Sequence, residues 1–246
     1  MKLIVSCEHG GHEVPAPHAG RFVGAEELLR SHRGWDPGAL TLASEMALAF
    51  DAPLFASTTT RLLVDLNRSI GHAQLYSEAT RALPAAAKRE LVAAHYRPHR
   101  DAVEHAVAGH IARGDCVLHI ASHSFTPVLD GIERRADVAW LYDPRRAGER
   151  ACAAAWLSAL RALRPELALR RNYPYEGKSD GLTATLRRRH GPERYIGIEL
   201  ELNQRFVLAG GAVWPVLRAA VIASLKTVMT SLLTADPSWS RTSAAR

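Results

Sequence analysis

Apolar residues along this chain fall into two spacings. Short, near-continuous or alternating runs read as strands buried in a sheet. They are Lys2–Cys7, Pro53–Ser57, Leu62–Leu66, Val117–Ser122, Val138–Tyr142, Leu167–Arg170 and Tyr195–Leu202. Between them lie longer segments predicted as helices: Ala25–His32, Gly38–Phe50, Ala85–Ala112, Arg146–Leu163, Gly181–His190 and Val213–Leu233. The long middle segment is amphipathic, with Leu91, Val103 and Val107 recurring at helical spacing. Strand and helix signals that alternate from end to end predict an α/β fold with a mostly parallel sheet between helices. No repeat, low-complexity linker or shift in composition divides the chain. One domain over residues 1–234 is therefore expected, with the polar, turn-rich residues 235–246 as a frayed tail.

One strand breaks the pattern. In GIELELNQ, Gly197 to Gln204, apolar Ile198, Leu200 and Leu202 alternate with Glu199, Glu201 and Asn203. Strands are depleted in Glu, and parallel core strands are usually apolar on both faces. Two carboxylates aimed the same way from such a strand call for a chemical reason.

Composition narrows the field. The chain has 246 residues, 47% hydrophobic and 23% charged, enough for an ordinary globular core. No apolar run reaches the roughly 18 residues of a membrane span, and the opening MKLIVSC is short for a signal peptide. Cys7, Cys116 and Cys152 are odd in number and unpatterned, which points to buried thiols in a reducing cytoplasm rather than to disulfides. The net charge of +6 suits anionic small molecules. Nucleic acid is disfavoured, because the densest basic run, LRRRH at Leu186 to His190, has no interleaved aromatics.

In open α/β sheets ligands bind beyond the carboxyl ends of strands. At those ends stand CEHGGHEVP with His9 and His12, RLLVDLNRS with Asn67 and Arg68, HSFTP with His123, and the two acids of GIELELNQ. Singly, each has a bland explanation: a turn histidine, a capped strand end, or, for the aromatics of NYPY, packing. Together they supply two histidines and carboxylates on rigid elements. That is the usual catalytic zinc set, with a further carboxylate free to act as general base.

In order along the chain, SCEHGGHEVP, HRGWDPGAL, TRLLVDLNRS, HSFTPVLDG, NYPYEGKSDG and GIELELNQ resemble the N-formylglutamate amidohydrolase (deformylase) family. The resemblance runs from about Leu3 to Val207, and through that family extends to the zinc carboxypeptidases and aspartoacylase. It implies a three-layer α/β/α sandwich with a mixed, mostly parallel sheet of the zinc-carboxypeptidase kind. The carboxypeptidase outline maps onto His9, Asp65-Leu66-Asn67-Arg68, His123-Ser124 and Glu201. One position departs from it: where that outline has a ligand Glu three residues after the first His, this chain has His12. The third metal ligand is thus His12 or Asp36 of GWDPG, with Glu8 and Glu13 as further candidates. The resemblance favours Asp36.

It further implies Zn²⁺ held by His9, Asp36 and His123, Glu201 as general base, and Asn67 with Arg68 as a carboxylate clamp; Arg61, a positive charge near a strand end, is expected at the oxyanion. The expected reaction is hydrolysis of a small anionic N-acyl amino acid, N-formyl-L-glutamate first among them. Charge alone nominates Arg134, Arg135 or Lys178 for a second substrate carboxylate. Glu199 is expected to orient a metal-ligating histidine or to pair with an arginine. The alternatives are another N-acyl amino acid or a peptide C-terminus as substrate, or a metal-free binder of acidic metabolites.

Overall fold

The computed structural model describes residues 1–235, so the expected tail lies outside the described residues except for Ala235. In chain order the elements are β1 (Lys2–Cys7), a 3-10 helix (Ala16–Phe22), α1 (Glu26–Arg30), α2 (Ala39–Phe50) and β2 (Leu54–Ala56). Then come α3 (Ala85–Leu91), a π-helical turn (Val92–Tyr96), α4 (Arg97–Ala112), β3 (Val117–Phe125), β4 (Val128–Leu129), β5 (Ile132–Glu133) and β6 (Val138–Leu141). The chain continues through α5 (Ala147–Leu163), β7 (Leu169–Arg171), α6 (Leu182–Arg189), β8 (Tyr195–Asn203), α7 (Arg205–Leu208) and α8 (Val213–Ala235).

Six strands form one sheet in the order β2-β1-β3-β8-β6-β7, and β4 pairs with β5 in a small hairpin. β2, β1, β3 and β8 run parallel, whereas β6 lies antiparallel to β8 and parallel to β7. The sheet is therefore mixed and mostly parallel, with helices on both sides, as the alternating pattern predicts.

The two sides differ. Leu3, Val5, Leu118, Ile120, Ile198, Leu200 and Leu202 point to α2, α5 and α8 and make the main core with Met46, Trp156, Leu217 and Val221. Each such buried side chain contributes roughly 1.5–3 kcal/mol. The intervening residues face α4 and α6. At the start of the strands this face is apolar too, where Ile4, Val117 and Tyr195 meet Val103, Val107, Leu182 and Leu186. Further along it turns polar, with His119, His123, Glu199 and Glu201, all buried. α8 is long and apolar enough to cross a membrane by length and composition alone. Here Leu217, Val221, Leu225 and Val228 are core residues, and Arg218 makes a two-pronged ion pair with Glu45 of α2.

Three expectations need correcting. Leu62–Leu66 is a buried loop rather than a strand. Leu62 and Leu63 pack with Phe22 and Leu91, and Val64 and Leu66 with Leu75 and Tyr96, so the apolar run is real. Its backbone, however, is satisfied by side chains. Ser77 Oγ donates to the Leu62 carbonyl (2.5 Å), Thr80 Oγ1 to that of Leu63 (3.0 Å), and the Asn67 amide to Asp65 Oδ1 (2.9 Å). The predicted helix Ala85–Ala112 is interrupted by the π turn. β3 also runs three residues past its predicted end, so His123 stands within the strand.

Candidate active site

The carboxyl ends of β1, β3 and β8 open into a cavity of about 290 Å³, lined by residues including His9, Asp36, Arg61, His123, Glu199 and Glu201. His9 sits in the turn after β1. Gly10 donates its amide to the Ser57 carbonyl (2.9 Å), and a Cβ on Gly11 would lie 2.5 Å from the Thr58 carbonyl oxygen. The glycine pair therefore lets the turn press against the strand-2 loop. Asp36 is fixed from two sides. Its amide donates to the His9 carbonyl (2.9 Å), while Ser124 Oγ and Ser122 Oγ of β3 hold the carbonyls of Pro37 (2.8 Å) and Ala39 (2.9 Å).

His9, Asp36 and His123 each offer a ligand atom, and these atoms lie within 4.8 Å of one another. His123 Nδ1 is 2.8 Å from Asp36 Oδ2 and His9 Nδ1 is 3.5 Å from it. The other ring nitrogens face carboxylates: His9 Nε2 meets Asp65 Oδ1 at 2.7 Å, and His123 Nε2 meets Glu8 Oε2 at 3.0 Å. His9 Nδ1, fully buried, has no hydrogen-bond partner. An inward-facing nitrogen on each histidine, a shared carboxylate oxygen and a carboxylate behind each ring fit a divalent cation. His12 does not join this group; its ring lies against Trp35, with centroids 5.0 Å apart. Glu13 is exposed and takes a hydrogen bond from Thr58 Oγ1 (2.7 Å).

Charge in the site is uneven. Glu8, Asp36, Asp65, Glu199 and Glu201 are all buried, and the half-buried Arg61 lies among them. Arg61 grips Asp65 through Nε (3.2 Å) and Nη2 (2.8 Å) and reaches Asp36 Oδ1 through Nη1 (3.4 Å). Burial would raise the pKa of Asp65, but Arg61 and His9 outweigh it and hold the group well below the ordinary range. Asp36 behaves alike: His9 and His123 overcome its burial. His123 is shifted upward, because its bonds to Asp36 and Glu8 outweigh burial. Glu201 goes the other way. Burial, reinforced by Asp36 and Glu199, pushes it up to about 8 against the pull of His123 and Arg61, and its Oε2 has no partner.

The two acids of GIELELNQ thus have different settings. Glu201 is the direct neighbour of His123 across the β3–β8 register. Glu199 sits two residues back and accepts a 2.5 Å hydrogen bond from Thr183 Oγ1 of α6, in place of the expected histidine or arginine. Asn67 Oδ1 accepts from the Leu182 amide (2.8 Å), and a Cβ on Gly181 would stand 2.9 Å from that oxygen. Arg68 Nη1 donates to the carbonyls of Asp180 (3.2 Å) and Asn67 (3.3 Å), leaving its Nε without a partner.

Of the residues nominated for a second carboxylate, Arg135 is paired with Glu133 (3.2 Å) and Lys178 with Glu176 (3.0 Å), both exposed. Arg134 reaches the cavity only through Tyr175, donating to its hydroxyl (3.1 Å) with the guanidinium over its ring. Tyr175 lines the cavity, a correction to its reading as packing; Tyr173 does pack, edge-on to Phe125. Sequence reasoning also missed His32 as a lining residue and Thr183 as the partner of Glu199. It named Glu8 beside His9 and Asp65 in the D-x-N-R segment, but not as partners of the two histidines. Nothing local marks His32 or Thr183.

Among curated proteins none matches the chain. Among solved structures, a gene product of Agrobacterium tumefaciens superposes with a TM-score of 0.80 at 27% identity, covering 94% of this chain and 92% of the other. An N-formylglutamate amidohydrolase from Ralstonia eutropha superposes with a TM-score of 0.71 at 18% identity, over 94% and 93% of the two chains, which establishes a common fold. Residues 1–208 match the N-formylglutamate amidohydrolase family, a stretch that includes every residue of the cavity described above. This chain is a member of the N-formylglutamate amidohydrolase family.

Proposed function

We propose that the protein is a zinc-dependent amidohydrolase that cleaves N-formyl-L-glutamate to formate and L-glutamate. The observation that carries this reading is the His9–Asp36–His123 cluster beside an unpartnered, buried Glu201. His9 and His123 would hold Zn²⁺ through Nδ1, with Asp36 as the third ligand. A surplus of buried carboxylates around these ligands supports a divalent cation, since unpaired buried charge is costly. A zinc ion so held would supply a water of pKa about 7 and a Lewis acid for the carbonyl.

The chain's own groups do the rest. Glu201 takes the proton of the attacking water at Oε2 and later delivers it to the amide nitrogen as the C–N bond breaks. Arg61, already aligned by Asp36 and Asp65, stabilises the charge that develops on the formyl oxygen. Asn67 and Arg68 hold the substrate carboxylate, and the unpartnered Nε of Arg68 supports that role. A cavity of about 290 Å³ favours a small N-acyl amino acid over a peptide. We take residues 1–234 as one catalytic domain. The three cysteines are free and buried, which supports a cytoplasmic enzyme.

Protein purified without chelator should carry zinc, release formate from N-formyl-L-glutamate, and lose that activity on chelation until Zn²⁺ is restored. N-acetyl and N-carbamoyl amino acids should be slower. A protein that binds no divalent metal and gains no activity with any would sink the proposal.

A further inference from the structure

The residue before His9 has no role in the chemistry just described, yet it is the most enclosed carboxylate of the site. Glu8 has zero exposure and stands between two imidazoles. Its Oε2 lies 3.0 Å from His123 Nε2 and its Oε1 lies 3.3 Å from His99 Nε2. His99 is buried on α4, on the far side of Glu8 from the metal-ligand cluster.

Why His99 points there follows from the π turn. Tyr96, His99, Arg100, Val103 and Val107 form the buried stripe of α4. Leu91, the last buried residue of α3, is five positions before Tyr96, one more than an α-helix places on a single face. The wider turn at Val92–Tyr96 absorbs that extra residue and resets the phase. Three stripe residues then reach the segments that carry the site. Tyr96 donates its hydroxyl to the Arg68 carbonyl (2.7 Å), Arg100 Nη1 donates to the Leu66 carbonyl (3.1 Å), and His99 meets Glu8.

We infer that Glu8 and His99 are positioning residues for the metal ligand His123, with His99 fixing Glu8 and Glu8 fixing the ring. This rests on the reading that His9, Asp36 and His123 hold a divalent metal. Glu8 Oε2 stands 3.0 Å from His123 Nε2 as a charge contact outside hydrogen-bond geometry; a carboxylate facing Nε2 favours the proton on that nitrogen and leaves Nδ1 as the atom to ligate. Without a donor at His99, one oxygen of a fully buried carboxylate loses its partner and Glu8 is free to turn. His9 has a separate support in Asp65, so the two metal-binding histidines are held by different parts of the chain. Asp65 belongs to the loop before α3, whereas Glu8 is anchored from α4.

The test is Zn²⁺ affinity, measured on metal-free protein by competition with a chromogenic chelator. Glu8→Gln, which keeps the shape but loses the charge, should bind Zn²⁺ about 10- to 100-fold more weakly, the usual range for a lost outer carboxylate. His99→Leu should also weaken binding, and His99→Gln, which restores an N–H donor, should recover most of the loss. Circular dichroism confirms that each variant is folded. Affinities equal to wild type in folded Glu8→Gln and His99→Leu would overturn the inference while leaving the metal site intact. Equal loss in His99→Leu and His99→Gln would assign His99 to packing and overturn its part. A wild-type protein with no measurable Zn²⁺ binding would instead remove the metal reading itself, and the positioning role with it.

Discussion

The two faces of β8 set stability and chemistry side by side on one strand. Leu200 points to α2, α5 and α8 and is wholly buried among aliphatic and aromatic side chains. Its immediate neighbours Glu199 and Glu201 point the other way and are almost as buried. Pleating sends alternate residues to opposite sides, so one strand serves a hydrophobic core and a polar cavity with no change of backbone. Burial on the first face stabilises the fold. On the second face it pushes the pKa of Glu201 upward.

Substitutions on this strand should separate the two roles. Glu201→Gln is expected to have the largest effect, lowering kcat about 10³- to 10⁴-fold, the upper part of the range for a lost general base. Metal content should be retained, and near-normal turnover would break the assignment. Leu200→Ala should cost about 2–5 kcal/mol of stability, read as a shift in urea midpoint, while residual folded enzyme keeps its KM. Arg68→Ala follows, with kcat/KM on N-formyl-L-glutamate reduced about 10²-fold, roughly 2.7 kcal/mol of lost transition-state stabilisation. The same variant should lose less on an analogue without the carboxylate; equal losses would free Arg68 of its role as clamp.

The pH dependence of the metal-free protein sharpens the contrast further. Glu201 titrates at about 8 when folded, against an ordinary value of 4.5. The folded state therefore holds this proton more tightly. The stabilisation is complete below pH 4.5 and disappears as pH rises through about 8. In the presence of chelator, wild type should lose stability over that window relative to Glu201→Gln, and parallel urea midpoints across it would contradict the shift. The smallest effect is expected at the partner of the other acid. Thr183→Val should cost about 1 kcal/mol for the lost hydrogen bond and change turnover less than three-fold.

Much of this contrast was legible in the sequence, because period-two alternation is a local property. The strands β1, β3, β6 and β8 emerge from it within a few residues, and the acids of β8 stand out against it. The loop Leu62–Leu66 was misread for a physical reason. Its side chains are as apolar as a strand's, but Ser77 and Thr80, distant in sequence, occupy its carbonyls. The π turn was missed although its signal was present: Val103 and Val107 are four apart and share a face, but Leu91 stands 12 positions before Val103, about one more than three helical turns allow. The contacts of Glu8 with His99 and His123 span 91 and 115 positions, which no window on the sequence joins.

The β3–β8 register carries one more consequence. His123 and Glu201 are direct partners across parallel strands, so the sheet holds their backbones about 4.8 Å apart. The rim is built differently: Thr126, Tyr175, Glu176 and Ser179 come from connecting segments rather than from sheet strands. On the proposed function, reaction and selectivity would be separable parts. Directed evolution toward other N-acyl amino acids should find its productive substitutions in those rim segments, leaving the strand pair unchanged.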